Sequence, residues 1–218
     1  MNKEVTVDAK ELLAAAKFCE RKENKGVREI LRCVHIEVNE KEYALVSTDS
    51  YKLIKFVHNM PADDSGEFDV NIGIDIIKDV VKSSDELVNI VYDDETGDIT
   101  MHIYKRRYVE RTTVTTRVND NEYPNYRKLL EVEPEVDDDG NELPRVSDIC
   151  LNTVFLTDIC NAINLAYGKK NAQVDFELGT SSAKQVMFHR ANEFLCDNDG
   201  KRKPVVYCDG IIMPIRKQ

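Results

Sequence analysis

Residues 3–22 read Lys3-Glu-Val-Thr-Val-Asp8-Ala-Lys-Glu-Leu-Leu-Ala-Ala-Ala-Lys-Phe-Cys-Glu-Arg-Lys22. The first six alternate polar and apolar, the period of a half-buried strand. Asp8 stands where a helix needs an acceptor for its first free amides. From Ala9 to Lys22 the period turns helical, with Leu12, Leu13, Ala16 and Cys19 on one apolar stripe. Strand-like runs follow at 30–38, 43–48 and 52–57, with a turn around Asn39-Glu40, and 61–66 is a loop rich in turn-forming residues. The unit is thus one strand, one amphipathic helix and three strands.

The unit recurs. Phe68-Asp-Val-Asn-Ile72 is strand-like, 73–83 reads as a helix with Ile76, Ile77, Val80 and Val81 apolar, and strands are expected at 87–92, 98–104 and 108–117. Asp93-Asp-Glu-Thr-Gly97 joins the first two of these as a hairpin. A third copy begins with a strand at 148–152, then Thr153 as a helix cap and a helix from Val154 to Tyr167, with Phe155, Ile159, Ala162, Ile163 and Ala166 inward. Its strands are expected at 172–178, 184–190 and 204–215. Three recurrences amount to an internal repeat of about 65–70 residues, carried by pattern rather than identity. Between the second and third copies, 133–142 holds six acids and no base, the composition of a linker or extended loop. The fold class expected is α+β, with helices on one face of curved antiparallel sheets. Its division is 1–132 as one domain of two repeats (1–64 and 65–132), 133–145 as acidic linker, and 146–218 as a third repeat.

The chain has 218 residues and a formal charge of −10, with an isoelectric point near 5.0 and a mean hydropathy of −0.44. At 42% hydrophobic this is globular composition, not disorder. No apolar run approaches the roughly 18 residues of a membrane span, and no basic segment precedes an apolar leader. A cytoplasmic protein without a membrane partner is expected. Cys19, Cys33, Cys150, Cys160, Cys196 and Cys208 form no Cys-x-x-Cys pair and find no histidine at zinc-finger spacing. Reduced, mostly buried thiols and no metal site are expected. Gly-x-Ser-x-Gly, phosphate-loop and His-Glu-x-x-His patterns are lacking. Asp197-Asn-Asp-Gly200 has a trace of a calcium loop but lacks the further ligands, and reads as a hairpin turn. No catalytic residues and no cofactor are assigned.

Acidity argues against nucleic acid only if net charge equals local charge. Lys10, Lys17 and Arg21 fall on one stripe of the first helix, with Lys22, Lys25 and Arg28 just beyond. Lys78 and Lys82 are one turn apart on the second, and Lys169 and Lys170 end the third. A lysine near a helix C-terminus is ordinary. The same arrangement on stacked repeats would make a common basic surface, while loops such as 93–98 and 133–142 carry acid.

Three short motifs resemble one family. Ser47-Thr-Asp-Ser-Tyr-Lys-Leu53 is similar to the Thr-Asp-Gly-x-Arg-Leu strand end of the bacterial beta sliding clamp, the DNA polymerase III beta subunit. Glu122-Tyr-Pro-Asn-Tyr-Arg-Lys-Leu-Leu130 resembles that family's Phe-Pro-Asp-Tyr-Arg-Arg-Val-Leu, and Ile211-Ile-Met-Pro-Ile-Arg216 its terminal Val-Val-Met-Pro-Met-Arg. Residues 1–130 look like the family's second domain and 146–218 like the later half of its third, a shortened form of phage or mobile-element type.

The resemblance implies a non-catalytic processivity factor that encircles double-stranded DNA and holds polymerase and clamp-loader peptides in a surface pocket. Carried over, the pocket would comprise Thr48, Tyr51, Lys52 and Leu53, then Pro124, Lys128 and Leu129, then Met213, Pro214, Ile215 and Arg216. Ser50, Tyr51 and Lys52 depart from the family's usual Gly, small or His, and Arg. Helix geometry nominates Lys10, Lys17, Arg21, Lys22, Lys25, Lys78 and Lys82 as facing DNA. Known clamps are rings of twelve such repeats, so four chains of three would match, and third repeats from two chains could rebuild a whole domain. The competing expectation is a module, such as a decoy, that takes clamp-binding peptides without encircling DNA.

Overall fold

The computed structural model describes residues 2–18, 28–59, 66–106, 109–131, 136–144, 149–168, 173–180, 184–196 and 202–214. The first repeat comprises β1 (Asn2–Asp8), α1 (Ala9–Phe18), a 3-10 turn (Glu29–Arg32), β2 (Cys33–Val38), β3 (Glu42–Thr48) and β4 (Lys52–Asn59). The second comprises β5 (Phe68–Gly73), α2 (Ile74–Val80), β6 (Leu87–Asp93), β7 (Asp98–Arg106) and β8 (Val109–Arg117). A short α3 (Arg127–Leu130) precedes the third, which holds α4 (Thr153–Tyr167), β9 (Asp175–Glu177), β10 (Val186–Cys196) and β11 (Arg202–Ile212).

Asp8 caps α1 as its position predicts, accepting from the amides of Lys10 at 2.8 Å and Glu11 at 3.1 Å. Several expectations change, among them the strands expected at 172–178 and 184–190, which are β9 and the longer β10. Residues 30–32 close a 3-10 turn ahead of β2. Helix α2 stops at Val80 because Val81 is extended (φ −86°, ψ 132°) and Asp85 takes the Lys82 amide at 2.7 Å. Residues 149–152 join no strand ladder among the described residues. Asn152, not Thr153, caps α4, accepting from the Val154 amide at 2.9 Å. Residues 197–200 lie outside the described residues, but β10 and β11 pair antiparallel out to Cys196 and Arg202, as a hairpin requires.

The strands form two sheets, ordered β1-β6-β7-β8 and β5-β2-β3-β4-β11-β10-β9. The first two repeats exchange their leading strands. β1 pairs with β6 from Asn2–Asp93 to Asp8–Leu87, and β5 with β2 from Cys33–Gly73 to Val38–Phe68. The third repeat docks on the first rather than on its chain neighbour, with β11 antiparallel to β4 from Val206–His58 to Ile212–Lys52. Helix α1 packs against both α2 and α4. Flanked on two sides, it is buried except at Lys10 and Lys17, and Ala14, Ala15 and Ala16 permit the close approach.

The main core lies between helices and sheets, joining Leu12, Phe18, Ile36, Phe56, Ile72, Ile90, Ile159, Phe188 and Ile212. The opposite face of the seven-stranded sheet carries a smaller cluster of Ala44, Val46, Leu53, Val57, Tyr126, Met187 and Ile211. Gly210 makes the β4–β11–β10 junction possible. A Cβ there would meet the Leu53 carbonyl at 2.3 Å and the Phe188 ring at 2.1 Å.

Candidate peptide pocket and helix face

The turn Ser47–Leu53 is built by its own side chains. Thr48 Oγ1 donates to the Lys52 carbonyl at 3.0 Å, and Asp49 Oδ1 accepts from the amides of Tyr51 at 2.9 Å and Lys52 at 3.1 Å. These bonds hold Ser50 at φ 76°, in the left-handed region. Glycine is the residue such a position favours, and serine tolerates it at a cost. Beside the turn, the Met213 amide donates to the Tyr51 carbonyl at 2.8 Å, extending the β4–β11 ladder by one bond.

Segments far apart in sequence meet at this seam. Leu53 and Ile211 are cross-strand partners in the smaller cluster, where Tyr126 joins them and Leu130 packs alongside. Helix α3 touches β11, and Gln185 Nε2 donates to the Leu129 carbonyl at 3.4 Å. Tyr51, Leu129 and Met213 remain 51%, 45% and 38% exposed, so apolar groups from all three segments face solvent around a partly apolar floor. Lys128 is exposed. Ile215 and Arg216 lie outside the described residues. Among residues the sequence reading did not single out, Tyr126, Leu130 and Gln185 contribute. Tyr126 and Leu130 lie inside the quoted motif, whereas Gln185 carries no sequence signal.

Lys52 departs from its expected place. Strand alternation puts Leu53, Lys55 and Val57 on the outer face, and Lys52, Ile54 and Phe56 toward the helices. The Lys52 side chain is 4% exposed, lies 4.2 Å from the Phe18 ring centroid and donates to the Phe18 carbonyl at the end of α1. Its ammonium sits 2.7 Å from Asp158 on α4 and 3.9 Å from Asp49. Lys52 thus ties the first repeat to the third on the face opposite the apolar seam.

Pro124 lines a neighbouring cleft of about 740 Å³, with His35, Glu37, Asn71, Tyr123, Tyr126 and Arg127 among its walls. His35 stacks on Tyr123 at 4.5 Å and contacts Asn71 Oδ1 at 2.8 Å and Glu37 at 3.0 Å. Tyr126 donates to Glu37 at 2.6 Å and Arg127 pairs with it at 2.8 Å. Burial raises the Glu37 pKa, but the bonds from His35 and Tyr126, with the charge of Arg127, outweigh it and bring the carboxyl from 4.5 down to about 2. This network anchors 118–127 across the sheet, aided by Asn71 Nδ2 donating to the carbonyls of Asn119 and Asn121.

On the helix side, Lys10 and Lys17 are exposed on one stripe of α1. Lys78 lies 3.4 Å from Asp75, which also takes Arg32 at 2.6 Å. Lys82 falls beyond α2, in the turn, where its ammonium donates to the Asp79 carbonyl at 2.6 Å. It does not extend a helical stripe. Helix α4 contains Asp158 and no lysine or arginine. Arg21, Lys22, Lys25, Lys169 and Lys170 lie outside the described residues. The described helix faces are therefore less uniformly basic than their lysine spacing predicts.

No protein-family model matches the chain, and no curated protein sequence does. Solved structures do. The DNA polymerase III beta subunit of Thermotoga maritima aligns with a TM-score of 0.62 at 13% identity, over 99% of this chain and 66% of that one. The beta subunit from DNA polymerase of Streptococcus pyogenes gives 0.63 at 16%, over 99% and 66%. The Pseudomonas aeruginosa DNA polymerase sliding clamp with ligand gives 0.65 at 15%, again over 99% and 66%. The chain thus has the fold of the bacterial beta sliding clamp, spanning about two-thirds of the length of those proteins.

Proposed function

We propose that this chain is the subunit of a cytoplasmic DNA sliding clamp: a non-catalytic processivity factor that closes as an oligomeric ring around duplex DNA. Its partners are then non-specific double-stranded DNA on the helix side and peptides of a polymerase and clamp loader at the β4–β11 seam. The observation that carries this reading is the seam itself. Tyr51, Leu129 and Met213, from three separate segments, offer exposed apolar surface over the Leu53–Ile211 pair. Such a groove suits a short peptide bearing apolar side chains. The unbroken sheet from β5 to β9 and the packing of α1 against both α2 and α4 suit a ring with helices inside. Lys10 and Lys17 supply the phosphate-tracking charge, which topological linkage keeps modest.

A second reading has its own support. Asp75 and Asp79 offset Lys78 on α2, and α4 carries Asp158 with no lysine or arginine, as a peptide-binding module that never encircles DNA would tolerate. Retention on closed circular duplex separates the two. A clamp, loaded by its partner or by ring opening, stays on circles and slides off once they are linearised. A peptide-binding module shows no such difference.

A further inference from the structure

The intact pair of repeats provides a template for the third. In that pair, the strand before each helix leaves its own repeat and pairs with the first strand after the other helix, β1 with β6 and β5 with β2. The two helices, α1 and α2, pack together. The exchange completes the core: Val34 and Ile36 of β2, and Val88 and Ile90 of β6, have no solvent exposure.

The third repeat has the same parts without the exchange. Residues 149–152 lead directly into α4 but join no ladder among the described residues. The first strand after the helix, β9, has β10 on one side and, among the described residues, ends the sheet on the other. Phe176 of β9 pairs in register with fully buried Phe188, so its side chain points to the helix face, yet it is 47% exposed. Val154 in the first turn of α4 is 60% exposed. The helix-facing position of β9 is open here, whereas its counterparts in β2 and β6 are sealed.

We infer that two copies of this chain join through their third repeats about a two-fold axis, the 149–152 segment of each pairing with β9 of the other and the two α4 helices packing together. The occupant is a second copy because the surface is self-complementary. One third repeat supplies both a leading segment without a strand and a strand edge without a leading segment. Reciprocal exchange satisfies both at once, as an isologous interface does. It also covers Phe176 as β1 and β5 cover their counterparts. The inference stands on the strand exchange and not on the clamp function, so a dimer that fails to encircle DNA would leave it intact.

The test is sedimentation equilibrium of the full chain, alone and as Phe176→Glu. The wild type is expected as an even-numbered assembly. Phe176→Glu, altering a side chain half-exposed in the single chain, is expected to keep the circular-dichroism spectrum and raise the dissociation constant by about tenfold or more. In the wild type, amide exchange at 149–152 and 175–177 should slow as concentration rises through that constant. A wild type that remains monomeric at high concentration overturns the inference. So does an assembly whose dissociation constant ignores Phe176→Glu, or whose exchange at these two segments is independent of concentration.

Discussion

Replacing Lys52 by methionine removes the charge that ties the first repeat to the third while keeping most of the apolar stem. The ammonium and the Asp49 carboxylate are 4% and 3% exposed, and Asp158, 2.7 Å away, is 30% exposed. Removing one partner of a buried pair costs roughly 3–5 kcal/mol, because the remaining charge stays desolvated. Asp158 reaches water in part, which places the expected loss near the lower end, at about 3 kcal/mol. The buried Phe18 carbonyl, which accepts from the same ammonium, adds to it by losing that partner. Urea unfolding of the single variant, of Asp158→Leu and of the double variant isolates the coupling. The double variant should recover about half of the Lys52→Met loss, because no lone carboxylate then remains on α4. Peptide affinity at the seam should change by no more than about twofold, since the side chain lies on the opposite face of β4. A loss below about 1 kcal/mol, or a large fall in peptide affinity at unchanged stability, would refute the buried-tie assignment and restore Lys52 to the pocket wall.

Other predictions follow from single contacts. Ser50→Gly should stabilise the chain by about 0.5–1 kcal/mol in urea unfolding, because φ 76° is strained for serine. Gly210→Ala should cost at least about 3 kcal/mol, because the new Cβ meets the Leu53 carbonyl as well as a buried ring; intact amide protection along β10, β11 and β4 would contradict this. The Glu37 carboxyl, held near 2 in the fold against an ordinary 4.5, adds stability above pH 4.5 that disappears as pH falls toward 2. Glu37→Gln should therefore flatten that part of the stability profile and lower stability at neutral pH by roughly 3 kcal/mol. Lys10→Glu with Lys17→Glu should weaken DNA retention and make its salt dependence shallower by about one unit of slope per lysine removed. An unchanged slope would place α1 away from DNA.

The sequence made the elements legible more readily than their partners. Periods of two and 3.6 residues located β1, the start of α1 and the hairpins of the first two repeats within a residue or two, because each of these buries one face. Helix α2 was overrun because Val81 continues its apolar pattern, and only the Asp85 bond to the Lys82 amide shows the turn. The face of Lys52 was not readable. In Lys52–Val57 both parities carry large apolar residues, Leu53 and Val57 on one face and Ile54 and Phe56 on the other. Alternation therefore fixes no orientation until β11 and α4 are in place. The docking of the third repeat on β4 rather than β8 is a long-range pairing with no local signature. The seam was found through motif resemblance, whereas Asp158 as the partner of Lys52 and Gln185 as a support of α3 required the fold.

Single-particle imaging of the full chain in solution, with mass measured on the same particles, tests the clamp reading most directly. The expected particle is a closed annulus of four chains, with twelve repeats around a central channel, converting to smaller species when Phe176→Glu opens the joint between third repeats. Compact single chains at high concentration, or assemblies without a channel, would contradict it.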